Sequence, residues 1–116
     1  MHKIFITGGC GFIGSHLTEY IFHRYNKSQI CVYDKITYAA SIENLKNIYK
    51  SKRLKIIIKD IKHFKELKKY SINSDILIHA AAESHVDNSF NLTNKFLNTN
   101  VIGTKNVLDA CKINKI

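Results

Sequence analysis

The stretch Ile4-Phe5-Ile6-Thr7-Gly8-Gly9-Cys10-Gly11-Phe12-Ile13-Gly14-Ser15 decides the fold. Gly9, Gly11 and Gly14 satisfy G-x-G-x-x-G, and Gly8, Gly11 and Gly14 satisfy the looser G-x-x-G-x-x-G. Glycine clusters also make ordinary turns, so the context carries the weight. An apolar run leads in, and Ile13, Leu17, Tyr20 and Ile21 lead out at helical spacing. Strand, glycine turn and helix together form a dinucleotide fingerprint. Glycine lets the chain reverse sharply and lets backbone N–H groups approach a pyrophosphate. The following helix aims its unpaired N–H groups and positive dipole end at that anion.

Working outward, the pattern predicts strands at 3–7, 29–34, 54–59 and 75–80 and helices at 12–25, 41–50, 61–70 and 92–113. Ser41 is the expected N-cap of the second helix, with Leu45, Ile48 and Tyr49 on its inner face. The continuous Ile56-Ile57-Ile58 implies a strand covered on both sides. In the last helix Phe96, Leu97, Val101, Val107, Leu108 and Cys111 recur at helical spacing. Alternating strands and helices imply an α/β fold with a doubly wound parallel sheet. Right-handed crossovers give strand order 3-2-1-4, with a cleft at the switch between strands 1 and 4.

Two acids fall at strand ends facing that cleft. Asp34 closes the second strand, twenty residues after Gly14, where a carboxylate accepts from ribose hydroxyls and repels a 2′-phosphate. Lys35 is the contrary hint for NADP. Asp60 follows the third strand.

Size and composition bound the partners. The 116 residues make one domain at most, and 45% hydrophobic content argues against disorder. No apolar run approaches membrane-spanning length, and the N-terminus carries no secretory pattern. Three dispersed cysteines without C-x-x-C point to a reducing, cytoplasmic setting and no zinc site. Net charge is +9, and Lys46 to Lys69 hold ten Lys or Arg against Asp60 and Glu66. The excess is lysine, whereas base recognition favours arginine forks. It therefore reads as a solvated face, with a nucleic-acid-binding protein as the lesser alternative.

Longer motifs carry a resemblance that spans the chain. Thr7–Ser15 resembles the opening of the extended short-chain dehydrogenase/reductases, which have a Rossmann-like fold. Asp34-Lys35-Ile36-Thr37-Tyr38-Ala39 and His79-Ala80-Ala81-Ala82-Glu83-Ser84-His85-Val86-Asp87 resemble segments of the dTDP-glucose 4,6-dehydratases. Thr99-Asn100-Val101-x-Gly103-Thr104 is similar to the helix that follows. Lys59 stands where that family commonly has Gly, and Asn88 where many bacterial members have Arg.

The resemblance implies NAD as cofactor and a sugar nucleotide, dTDP-glucose, as substrate. Gly8, Gly11, Phe12, Ile13 and Gly14 would meet the pyrophosphate. Asp34, Lys35 and Thr37 would lie along the ribose, and Asp60 and Ile61 at the adenine. Ala80, Ala81, Ala82 and Thr99 would line the nicotinamide half. Ser84 would touch substrate, with His85 and Asp87 shaping its loop, while His79 reads as an ordinary hydrogen-bonded histidine.

This family's lyase chemistry needs a Tyr-x-x-x-Lys pair and an Asp-Glu pair. The fourth residue after each tyrosine is Arg24, Gln29, Thr37, Ile42, Arg53 or Ser74, so no catalytic group is expected in this chain. The expectation is a cofactor-binding domain, residues 1–116, incomplete and without a substrate domain, inactive alone and dimeric only if the rest is supplied. A stand-alone, non-catalytic dinucleotide-binding module is the alternative.

Overall fold

The computed structural model describes residues 2–37, 40–82 and 97–116. Four strands, β1 (Lys3–Thr7), β2 (Gln29–Asp34), β3 (Leu54–Ile58) and β4 (Ile76–His79), form one parallel sheet ordered β3-β2-β1-β4. That is the expected order. The strand ends align because Ile6 pairs with both Val32 and Ile78 across β1. The carboxyl ends of β1, β2 and β4 therefore share one edge.

Alternation along the strands builds two cores. Ile4, Ile6, Ile30 and Val32 face α1 (Phe12–Arg24) and pack with Ile21, Leu45, Ile48 and Leu54. Phe5, Cys31 and Tyr33 face the other way, toward Leu67 on α2 (Phe64–Ser71) and Val107 and Ala110 on α3 (Thr104–Asn114). The Phe5 and Tyr33 rings meet at 5.6 Å. A sheet covered on both faces needs apolar residues at odd and even positions, which is why β1 and β2 lack alternation.

Several expectations are corrected. Residues 41–50 hold only a 3₁₀ turn, Ile42–Leu45, followed by further turns. Leu45 and Ile48 are both buried, and three residues make one full turn of a 3₁₀ helix, so the tighter winding still puts them on one side. Tyr49 is left exposed, though Ser41 does cap, accepting from the Glu43 N–H at 3.1 Å. The third helix starts at Phe64 because Asp60 first closes a turn, taking the His63 N–H on its carbonyl and the Lys62 N–H on Oδ1.

Residues 97–103 wind as a π-helix before α3 begins, and Leu92 to Phe96 lie outside the described residues. Val101 and Leu108 are exposed, because a helix lying on one sheet face buries a narrower stripe than their spacing suggested. Ile58 is 54% exposed, since β3 is an outer strand of the described sheet. Ile13 and Tyr20 also point outward, whereas α1 buries its small residues Gly14, Ser15 and Thr18 with Ile21.

Candidate functional site

The glycine turn works by contact between backbones. Gly8 has φ +73°, and a Cβ there would lie 2.5 Å from the Ala81 nitrogen. A Cβ on Gly14 would lie 1.9 Å from the Gly8 carbonyl oxygen. Both positions thus exclude a side chain on steric grounds. The turn delivers Gly11 as N-cap of α1 without a side-chain cap and without an acid in the first turn. The first N–H groups of α1 are therefore left to whatever occupies the space before them.

That space is a cleft of about 670 Å³ along the carboxyl edge of the sheet. Every described residue expected at a cofactor lines it. From the glycine turn come Gly8, Gly11, Phe12, Ile13 and Gly14, and from β2 and its loop Asp34, Lys35 and Thr37. Asp60 and Ile61 come from the turn after β3, Ala80, Ala81 and Ala82 from the end of β4, and Thr99 from the π-helix. Phe12 and Ile13 are 76% and 75% exposed, two large apolar side chains at the cleft mouth that no core claims. Ser84, His85 and Asp87 lie outside the described residues.

Asp34 is buried and double-bonded into the frame. Its Oδ2 accepts the Cys10 N–H and its Oδ1 the Ile36 N–H, both at 2.9 Å. A carboxylate offers about four acceptor positions, so two remain for a ligand. The Oδ1 bond also secures Ile36 at φ +59°, a conformation costly for a β-branched residue. Beside it, Lys35 Nζ lies 3.3 Å and Lys62 Nζ 3.8 Å from Asp60 Oδ2. Tyr33 donates its hydroxyl to the Asp60 carbonyl at 3.0 Å, and burial pushes that phenol well above its usual range.

Burial, with Asp34 beside it, pushes the Cys10 thiol up to about 12. The His79 imidazole is pushed below its ordinary value by burial alone.

Tyr33, Ala40, Ser41, Asn44 and Lys59 also line the cleft and were not anticipated. Asn44 donates to the Cys10 carbonyl at 2.9 Å and the Ser41 N–H to the same oxygen at 3.0 Å, so this loop buttresses the glycine turn. No spacing in the sequence announces it. Only Tyr33 and Lys59, adjoining Asp34 and Asp60, had a local signal.

The family model for GDP-mannose 4,6 dehydratase matches residues 5–116. The chain belongs to that family. It is 41% identical over its whole length to a dTDP-D-glucose 4,6-dehydratase of Dictyostelium discoideum, and 38% identical over 97% of its length to a dTDP-glucose 4,6-dehydratase of Neisseria meningitidis. It spans 27% and 32% of the length of these two relatives. A dTDP-glucose 4,6-dehydratase from Streptomyces venezuelae, solved with NAD and TYD bound, superposes with a TM-score of 0.92 at 33% identity, over 98% of this chain and 37% of that one. Family membership accounts for the parallel sheet, the glycine turn and the cleft as one inherited unit.

Proposed function

We propose that the chain is the NAD-binding portion of a sugar-nucleotide 4,6-dehydratase acting on dTDP-glucose, with the acid and base groups supplied outside these 116 residues. One observation carries this reading: glycine turn, Asp34, Asp60 and the end of β4 converge on a single cleft. The residues present fit a dinucleotide. Uncapped N–H groups at the start of α1 suit a pyrophosphate, and the free acceptor positions of Asp34 suit ribose hydroxyls. Phe12 and Ile13 would shield the pyrophosphate from water, and Asp60 with Ile61 would accept and donate at the adenine edge.

NAD over NADP follows from charge. Lys35 is drawn to Asp60, which it shares with Lys62, while Asp34 would repel a 2′-phosphate. When bound, NAD supplies the hydride acceptor for the sugar. Ser84, His85 and Asp87 are assigned to the sugar nucleotide on the resemblance, supported by the names of the relatives. No helix among the described residues is long and apolar enough to cross a membrane, and the three cysteines are free thiols, which suits a cytoplasmic enzyme. The family-type dimer would form only with the remainder of the enzyme.

Calorimetric titration of the chain with NAD tests the reading. Saturable binding is expected, weakened at least tenfold by Asp34→Ala and weaker again for NADP. A wild-type chain with no affinity for NAD, or D34A binding as tightly, would sink it.

A further inference from the structure

His79 ends β4, and its ring stands between the end of β1 and the start of α3. Nδ1 lies 2.7 Å from Thr7 Oγ1, and Nε2 lies 2.9 Å from Thr104 Oγ1. The partners' other bonds dictate where each proton sits. A hydroxyl has one proton and two lone pairs. Thr7 Oγ1 accepts the Ala81 N–H at 3.3 Å and shares the Ala80 N–H, at 3.2 Å, with the Thr7 carbonyl at 3.0 Å, so N–H donors already face its lone pairs. Its single proton is left for Nδ1. A neutral ring that accepts at Nδ1 carries its own proton on Nε2 and donates it to Thr104. Thr104 in turn spends its proton on the Asn100 carbonyl, 2.9 Å away. The Thr104 end fixes the tautomer, and the Thr7 end agrees with it.

The two ends also reach the cleft. Ala80 and Ala81 line it and lie against Gly8, while Asn100 follows the cleft residue Thr99 within the π-helix. We propose that His79, as the neutral Nε2–H tautomer, is a positioning residue that locks the Ala80–Ala82 loop and Thr99 into one geometry along the cofactor cleft. This rests on the cofactor reading given above. The ring is not part of the cleft lining and acts only through Thr7 and Thr104. An imidazolium would turn a second donor on the Thr7 hydroxyl and compete there with the Ala81 N–H, whereas the Ala80 N–H keeps the Thr7 carbonyl.

The test uses the full chain with ¹⁵N-labelled histidine, nitrogen–proton correlation spectra near neutral pH, and NAD titration. Wild type is expected to show His79 as neutral Nε2–H with a slowly exchanging ring proton. Thr104→Val should expose that proton to fast exchange and weaken NAD binding about tenfold, the effect of one misplaced hydrogen-bonding group. Thr104→Ser keeps the hydroxyl and should restore both properties. An Nδ1–H ring or an imidazolium in wild type overturns the proposal, as does unchanged NAD affinity in T104V. Should T104V fail to fold, the wild-type tautomer and T104S decide, and a T104S chain that loses the slow proton or the affinity overturns it. A chain with the expected tautomer and no NAD binding counts instead against the cofactor reading.

Discussion

At Asp34 one side chain holds the glycine turn, secures the positive-φ Ile36 and faces the cleft. Asp34→Asn is expected to be worse than a lost charge, because an amide turns N–H groups toward the Cys10 or Ile36 N–H. Unfolding in urea should show a loss of about 1–3 kcal/mol, the cost of leaving a buried donor unpaired. Gly14→Ala tests the close approach in the same loop. Its Cβ would lie 1.9 Å from the Gly8 carbonyl, so a loss of about 1–3 kcal/mol is expected, together with NAD binding. The Cys10 thiol gives a pH signature. Its pKa is raised to about 12, so the native state keeps the proton that an unfolded chain sheds near 9. Its contribution to stability is full below about pH 9 and is lost as pH rises toward 12, and alkylation with iodoacetamide at about pH 8.5 should leave Cys10 unmodified in the folded chain. Of these residue features, Asp34 and the glycines were legible in the sequence. The strain at Ile36 was not, because nothing about an isoleucine announces a left-handed backbone.

Among the elements, the end of α1 depends on a residue far away in sequence. Arg53 sits just before β3 and donates to the carbonyls of Phe22, Tyr25 and Ser28 at 2.9, 3.3 and 3.0 Å, its guanidinium stacked 3.8 Å over the Phe22 ring. This one fork ties the α1 carboxyl end to the start of β2 and the loop before β3. Arg53→Lys keeps the charge but loses the fork and the stacking plane, so a loss of about 1–2 kcal/mol in urea unfolding is expected, with NAD affinity unchanged. Equal stability of R53K and wild type would show that charge alone suffices. The strands were readable because their apolar runs are short and bounded. The 41–50 segment was misjudged because Leu45 and Ile48 fit an α-helical face and a 3₁₀ turn alike, and only their burial against Ile4, Ile6 and Val32 chooses between them.

For the molecule as a whole, pH dependence below neutrality follows from His79. Burial lowers its folded pKa, so as pH falls through its ordinary value of about 6.5 the unfolded chain takes up the proton before the native chain does. The contribution of His79 is therefore full above about pH 6.5 and shrinks as pH falls through it. Between about pH 7.5 and about pH 5.5, wild type should lose more stability in urea than His79→Gln, which cannot titrate. An equal loss in both proteins would refute the assignment. Activity is also a whole-molecule property. The pure chain is expected to form no 4-keto-6-deoxy sugar from dTDP-glucose, because no tyrosine is followed four residues later by lysine; product detected by chromatography would overturn this. The sequence by itself determined the four strands, the parallel sheet and the glycine turn, Asp34 and Asp60 at its cleft, because glycine at a sharp reversal and a carboxylate ending a strand are local chemical requirements. Only the tertiary structure decided that Lys35 pairs with Asp60, that Asn44 and Ser41 buttress the glycine turn, and that His79 joins Thr7 to Thr104. Those pairings run between residues from 25 to 72 positions apart, and no local pattern encodes a partner that the folded chain must bring to within hydrogen-bonding distance.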